Sequence, residues 1–317
     1  MKSIHSCIIM LIINTIMIFG VGMVDINHLR ENRRHGSIGL PVGIYLMDQA
    51  AGEPILDNHW HEEAEFLAVV SGEAVFQIGL STYTAKAGDV LFIPGGELHG
   101  GYSLRGAACS YAALVFHLDW LMSQGDIATT QYLEPILRGR LVPEPHAAAE
   151  TDGLAESLSG QLMQLIGMEH SEDPSKPMRL KAGLYLLLAE YVTRDAFVRR
   201  EPRSSLDMYT QERLKTVLTY IDTHYARKLT IKELAAEAGM SEGHFTRVFK
   251  SFMRKTPIDY INSLRIRIAA ALLADRRISI GEAALESGFD NFSYFSKMFR
   301  SVYQCTPSEY RERVELG

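Results

Sequence analysis

The 317-residue chain has little cysteine: it contains three, Cys7, Cys109 and Cys305, far apart in the sequence. They form no CxxC pair, and so few cysteines exclude the disulfide framework of a small secreted domain. This usage is typical of a reducing compartment, and we expect a cytoplasmic protein. The length and the contents of 47% hydrophobic and 22% charged residues indicate an ordinary globular chain of two or three domains.

Charge is scarce at the N-terminus. Cys7 to Val24 is an apolar run, and Lys2 is the only Lys, Arg, Asp or Glu before it. The run is long enough for a membrane helix, and the arginines after it would keep the rest of the chain in the cytoplasm. A cleaved signal peptide is a second interpretation, although the small-residue cleavage pattern is missing. In a third interpretation, Met23 is the true start, and the preceding residues belong to an over-extended reading frame. We therefore expect a membrane as a partner only if the apolar segment is part of the protein.

The chain as a whole also lacks an excess of positive charge, with 32 Lys and Arg against 38 Asp and Glu. The charge is unevenly distributed: residues 208–317 carry 17 basic and 13 acidic residues, a net of +4, whereas residues 1–207 carry a net of −10. Because nucleic acid is polyanionic, only the C-terminal part suits it as a partner. Exposed Arg and Lys are usually only solvated, so charge alone does not decide.

A sequence unit occurs twice in this basic part. The copies align at an offset of 49 at the start and 50 at the end, pairing Ile231 with Ile280, Gly239 with Gly288, Phe245 with Phe295, Phe249 with Phe299, Pro257 with Pro307 and Tyr260 with Tyr310. Each copy predicts a helix, a glycine-centred turn and a second helix, which is the helix-turn-helix layout. Between the copies, Ile258 to Ala274 predicts one helix about 25 Å long.

The second helix of each copy has an apolar and a polar face. We expect the phenylalanines to pack inward, including Phe292, and we expect Ser241 and either Asp290 or Asn291 to cap the two helices. The predicted DNA-binding residues are the caps and the outward-facing side chains: Ser241, Gly243, His244, Thr246, Arg247, Lys250, Asn291, Ser293, Tyr294, Lys297 and Arg300.

Residues 208–311 resemble the C-terminal DNA-binding domain of AraC/XylS-type transcription regulators. The resemblance rests on the double unit, Arg265 to Leu273, Gly288-Phe289, Ser293-Tyr294-Phe295 and Thr306-Pro307 followed by Tyr310-Arg311. It implies that Gly243, Thr246 and Arg247 face bases in one major groove of double-stranded DNA, and Ser293, Tyr294 and Lys297 in the next. For an activator, it also implies RNA polymerase as a partner.

The chain departs from this family at the exits of the two recognition helices. The family usually has glycine two residues before the Thr-Pro or Ser-Pro pair, but Arg254 and Gln304 stand there. Each exit must therefore take another conformation or tolerate mild strain.

Ahead of residue 118 the pattern changes to short apolar runs separated by glycines, which predicts a β-sandwich or barrel. His59-Trp60-His61, Glu65 and Gly72, followed by Gly88-Asp89 through Pro94 to His99, resemble the two motifs of the cupin superfamily, a jelly-roll barrel. His59 and His61 are two apart, so they point the same way from a strand. Glu65 and His99 complete a set of three histidines and one carboxylate.

Two interpretations of His59, His61, Glu65 and His99 stand. Imidazole and carboxylate ligands suit divalent zinc, iron, manganese or nickel, so the set is a candidate metal site. Alternatively, no cofactor is required, and the same residues line an effector pocket as hydrogen-bonding and packing groups. Sensor cupins of AraC-type regulators usually bind effector without metal. Trp60, Phe66, Phe92 and Tyr102 are expected neighbours of the pocket, with simple core as the alternative for each.

The predicted fold class is α+β multidomain. Its parts are an N-terminal segment (1–37), a cupin-type jelly-roll barrel (38–117), a helical linker or dimerisation region (118–207) and an all-α domain with two helix-turn-helix units (208–317). In the third part we expect helices over Leu154–Met168 and Met178–Val198, with an apolar stripe that suits either core or a homodimer seam.

These expectations combine into a cytoplasmic, non-enzymatic transcription regulator. A small-molecule effector, sugar-like by family resemblance, would bind in the barrel and shift the balance between two arrangements of the chain. The rival hypothesis is a metal-dependent cupin enzyme, such as a dioxygenase or isomerase, fused to the DNA-binding units.

Overall fold

The computed structural model describes residues 35–50, 55–104, 106–150, 153–199 and 205–316. The apolar run Cys7–Val24 and the alternative start Met23 lie outside the described residues. Within the described ranges, none of the helices is long and apolar enough to cross a membrane.

The N-terminal domain is strand-rich, as predicted. Its strands are β1 (Val42–Gln49), β2 (Leu56–His59), β3 (Ala64–Ile78), β4 (Ser81–Lys86), β5 (Val90–Ile93), β6 (His99–Ser103) and β7 (Cys109–Phe116). The first half of β3 pairs with β5 and β7, and its second half pairs with β4 and β6. The register shifts between Val69 and Ser71, and Gly72 follows with a φ of 75°, so β3 changes sheets there.

The two sheets form a cupin-like domain but not the closed barrel that we expected. The hydrogen-bonded path runs β1-β7-β3-β5-β9, where β9 is His146–Ala147, and β2, β4 and β6 pair beside it. In the described part of the chain β1 and β9 are therefore edges of an open sheet, because no ladder joins them.

Residues 118–199 are less uniformly helical than predicted. Short helical turns at Leu118–Leu121 and Thr129–Leu133 lead into α1 (Glu134–Leu137), β8 (Leu141–Pro143), β9 (His146–Ala147), α2 (Leu154–Ile166), α3 (Lys176–Thr193) and β10 (Phe197–Arg199). The helix predicted over Met178–Val198 ends early because Asp195 adopts a φ of 49° and turns the chain into β10, which pairs with β8. The apolar stripe on α3, from Leu180 to Tyr191, packs on the sheet formed by β3, β5 and β7 and is core.

The C-terminal helices follow the predicted double layout. They are α4 (Ser205–His224), α5 (Ile231–Glu237), α6 (Glu242–Met253), α7 (Pro257–Leu272), α8 (Ile280–Glu286), α9 (Phe292–Tyr303) and α10 (Pro307–Leu316). Gly288 has a φ of 93°, and a Cβ there would lie 2.9 Å from backbone atoms of Ala226, so this turn requires glycine. Ser241 and Asn291 cap α6 and α9, accepting from the backbone N–H groups of His244 and Tyr294.

The chain divides into two compact units. One contains the described residues of 27–223 together with Thr230–Pro257, and the other contains His224–Leu229 and Ile258–Gly317. In the first unit, α4 and α6 hydrogen-bond to the N-terminal domain.

The exits of both recognition helices carry the mild strain that the sequence predicts. Arg254 and Gln304 cap α6 and α9 in the left-handed region, each with a φ of 56°. A side chain in this conformation costs roughly 1–2 kcal/mol relative to the right-handed helix.

The phenylalanines of α9 do not all face inward. Phe295 and Phe299 are fully buried against α7 and α8, whereas Phe292 is 53% exposed, which corrects our expectation for it. Side chains on a helix lean toward its N-terminus, so that of Phe292, the first residue of α9, extends past the end of the core.

We expect Phe299→Ala to lower the free energy of unfolding by about 3–5 kcal/mol, the usual loss when a buried aromatic leaves a cavity. Phe292→Ala in the same helix is the matched control and should change it by less than about 0.5 kcal/mol. Urea unfolding followed by circular dichroism measures both. Equal losses would contradict the assigned faces of α9.

Candidate functional site: a histidine–glutamate cluster and two recognition helices

Four polar side chains converge inside the N-terminal domain. His59 ends β2, His61 follows in the turn, Glu65 lies on β3, and His99 begins β6. The pairing of β2 with β6 places His59 directly opposite His99, with ring centroids 4.1 Å apart. One ligand atom from each of the four residues lies within 4.8 Å of the others. The structure thus brings together the whole predicted set, which we call the His/Glu site.

The main chain fixes the orientation of all three imidazoles. The Nδ1 atoms of His59 and His99 lie 2.8 Å from the carbonyl oxygens of Asp57 and Glu97, and that of His61 lies 3.0 Å from the carbonyl oxygen of Glu63. A carbonyl oxygen only accepts, so each Nδ1 must carry the proton and donate it. In a neutral ring Nε2 is then an acceptor, which is the tautomer that metal-bound histidines use.

Glu65 lies where the imidazoles meet. Its Oε2 is 3.2 Å from His61 Nε2 and 3.4 Å from His99 Nε2. Burial raises the pKa of Glu65, but the neighbouring His61 and His99 outweigh burial and hold it well below its usual range. Burial, followed by the proximity of His99, lowers the pKa of His59 to about 3, so this ring is neutral at pH 7. An ionised carboxylate facing imidazole lone pairs is stable when a cation lies among them, either protons on the rings or a metal ion.

A second group adjoins the site and was not predicted. His35, His61 and Glu63 also place ligand atoms within 4.8 Å of one another. Nδ1 of His35 lies 2.8 Å from the hydroxyl oxygen of Tyr45, and Glu63 Oε1 lies 3.0 Å from Nε2 of His117. His35 and His117 stand outside both cupin motifs, so the spacing of those motifs gave no signal for them.

Phe66 and Phe92 are not neighbours of this site but core residues, which is the alternative that the sequence left open for them. Both pack with Tyr191 of α3, on the face of the sheet of β3, β5 and β7 that is opposite to the His/Glu site. Alternation along β3 explains the difference, because Phe66 must point away from the face that carries Glu65.

Each recognition helix, α6 and α9, carries a candidate DNA-binding face of its own. Ser241, Gly243, His244, Arg247 and Lys250 are exposed and Thr246 is half-buried; Asn291, Ser293, Tyr294, Lys297 and Arg300 are all exposed. The burial pattern of the second set repeats that of the first, position by position, as the internal duplication predicts. Arg247, Lys250, Ser251 and Arg254 line a cleft of about 460 Å³, and Arg254 is an addition to the predicted set.

A side chain of α7 hydrogen-bonds to Tyr294, one of the predicted DNA-facing residues. The Asn262 side-chain amide on α7 donates to the hydroxyl oxygen of Tyr294 at 3.0 Å. This bond fixes the tyrosine ring at the N-terminal turn of α9, where recognition helices contact base edges.

Two family models match the chain. A model of the AraC-like ligand binding domain matches residues 42–188, and a model of a helix-turn-helix domain matches residues 234–313. The first covers the His/Glu site and the second covers both recognition helices.

Relatives match over nearly the full length. The HTH-type transcriptional regulator YdeC of Bacillus subtilis is 28% identical over 92% of this chain and 98% of its own length. The MmsAB operon regulatory protein of Pseudomonas aeruginosa is 27% identical over 89% of this chain and 92% of its own. A solved structure of ToxT from Vibrio cholerae aligns with a TM-score of 0.43 at 14% identity, covering 85% of this chain and 97% of that one. The chain belongs to the AraC family of transcription regulators, with a ligand-binding domain followed by a helix-turn-helix DNA-binding domain.

Proposed function

We propose that α6 and α9 read operator DNA and that the His/Glu site binds the signal that controls them, a divalent transition-metal ion held by His59, His61, Glu65 and His99. The observation that carries this proposal is the arrangement of three Nδ1-anchored imidazoles around one buried carboxylate. Because the relatives are regulators, we assign the ion a regulatory rather than a catalytic role. DNA reading requires a cytoplasmic location.

The residues fit a metal ion in ligand chemistry and in protonation. Imidazole nitrogen and carboxylate oxygen suit zinc, iron, manganese and nickel, and a ligand must be deprotonated to bind. Burial, followed by the proximity of His99, lowers the pKa of His59 to about 3, so this ring is deprotonated at pH 7. Nε2 of His99 is buried and lies 3.4 Å from Glu65 Oε2, so it is placed to share a metal ion with that carboxylate. A bound ion would supply positive charge to the carboxylate.

On the DNA side, roles follow from side-chain chemistry. Arg247 and Lys297 occupy equivalent outward positions of the duplicated unit and suit guanine O6 and N7. Lys250 and Arg300, one turn closer to the C-terminal ends of the helices, suit phosphates. Both pairs lie on exposed faces.

We expect Arg247→Ala and Lys297→Ala each to weaken operator binding by about 1–3 kcal/mol when a base contact is lost. Arg179→Ala, which removes an exposed charge from α3 in the N-terminal domain, is the control and should bind as tightly as wild type. Fluorescence anisotropy on an operator duplex at fixed salt measures all three. Unchanged affinity in both variants would show that these faces do not read DNA.

We expect Zn²⁺ to raise the melting temperature of the full chain. A free concentration of 100 times the Kd adds about 2.7 kcal/mol to stability. His99→Ala should abolish this shift, and His170→Ala, whose side chain is 92% exposed, should retain it. Differential scanning fluorimetry with and without EDTA measures the shift, and an equal shift in His99→Ala would exclude the His/Glu site as the zinc site.

The site and the DNA-binding units should be separable. We expect His61→Ala to bind operator within about twofold of metal-free wild type while losing any response of operator affinity to Zn²⁺ or EDTA, because a site that loses a ligand loses its ion. If EDTA does not change the operator affinity of wild type, the signal is not a metal ion, and an organic effector in the same pocket takes its place in the proposal.

A further inference from the structure

One phenylalanine lies on the surface, at the start of the second recognition helix. Phe292 is the first residue of α9 and is 53% exposed, whereas every other phenylalanine in the described ranges is buried or half-buried. Burying a phenylalanine side chain stabilises a folded chain, and an exposed one forgoes most of that gain. The ring of Phe292 is therefore available to a partner.

Phe292 contributes little to the helix that it begins. The equivalent residue of the duplicated unit is Glu242, the first residue of α6, whose carboxylate interacts favourably with the N-terminal end of the helix dipole. Phenylalanine lacks this interaction and has a lower helix propensity than glutamate. Because residues 241–250 and 291–300 have the same pattern of exposure, helix stability and contact with water both favour a charged residue at position 292. An apolar residue that breaks such local rules is typical of a functional position.

The ring of Phe292 packs on one side against a buried ring. Its centroid lies 5.9 Å from that of Phe295, at an interplanar angle of 47°, and Phe295 is fully buried. A contact with a core side chain restricts the exposed ring, so the ring has less freedom to lose when it binds a partner. Phe292 is thus a preformed apolar surface at the tip of α9.

Polar groups near Phe292 already make hydrogen bonds within the protein. Asn291 Oδ1 accepts from the backbone N–H of Tyr294 as the cap of α9, and the hydroxyl oxygen of Tyr294 accepts from the side-chain amide of Asn262. These bonds tie both side chains to their own domain. The first turn of α9 therefore combines an exposed apolar ring with the small hydroxyl group of Ser293.

We propose that Phe292 contacts the 5-methyl group of a thymine in the major groove of the operator and thereby selects an A·T pair at that position. The N-terminal residues of a recognition helix contact base edges, and thymine carries a methyl group on its major-groove edge that phenylalanine suits. Glu242 suits the N4 amino group of cytosine instead, so the two copies of the unit select different bases. The proposal rests on the DNA-reading role assigned above to α9.

The test removes this methyl group alone. An operator that the full chain selects from a random-sequence duplex library is resynthesised with deoxyuridine in place of one thymidine at a time, which keeps every hydrogen-bonding group of the base pair. We expect at least one substitution to weaken binding by wild type about fourfold, the fold-change for one methyl group left in water. In Phe292→Ala the same substitution should have no effect, because the shortened side chain does not reach the base. Fluorescence anisotropy at fixed salt measures each affinity.

Two variants are matched controls. Phe292→Leu keeps an apolar side chain, and Glu242→Ala changes the equivalent position of α6 but leaves α9 intact, so both should retain the sensitive thymine. A wild-type operator without a sensitive thymine, or the same sensitivity in Phe292→Ala as in wild type, would overturn the proposal. If Lys297→Ala then still weakens binding, the DNA-reading role of α9 stands and only the assignment of Phe292 is wrong. If Lys297→Ala also binds like wild type, the DNA-reading role of α9 fails as well.

Discussion

The alternation of side chains along strand β3 is the constraint on which the N-terminal domain depends. Glu65 points into the His/Glu site, so Phe66 must point to the other face, where it packs with Tyr191 of α3. The strand then crosses into the second sheet and ends beside Gln77, which contacts α6. A one-residue slip of β3 would exchange site and core faces together.

The electrostatics of the His/Glu site follow from its anchoring. The Nδ1–H group of each imidazole donates a hydrogen bond to a nearby main-chain carbonyl oxygen, so the rings present their Nε2 atoms to the site that contains Glu65. A buried carboxylate among lone pairs is unfavourable unless a cation joins it. A metal ion bound as proposed would therefore stabilise this site.

Local features were predictable from the sequence, because they depend on short-range physical rules. The duplication located both helix-turn-helix units, and Ser241 and Asn291 cap the helices as expected. The two cupin motifs identified four residues that meet in space. Contacts between distant segments were not predictable: Gln77 and Arg254 are 177 residues apart, and neither periodicity nor capping links them. The sequence did not predict His35, the strands β8 to β10 or the exposure of Phe292, because each depends on tertiary packing or on the end of an element.

The proposed metal signal ties operator binding to the His/Glu site, so the response of operator affinity to metal tests it most directly. Fluorescence anisotropy of the full chain on an operator duplex at fixed salt, with Zn²⁺ and with EDTA, measures this response. We expect the two affinities to differ in the wild-type chain and to be equal in His99→Ala, which removes one ligand of the proposed ion. Equal affinities in the wild-type chain would contradict a metal signal at the His/Glu site.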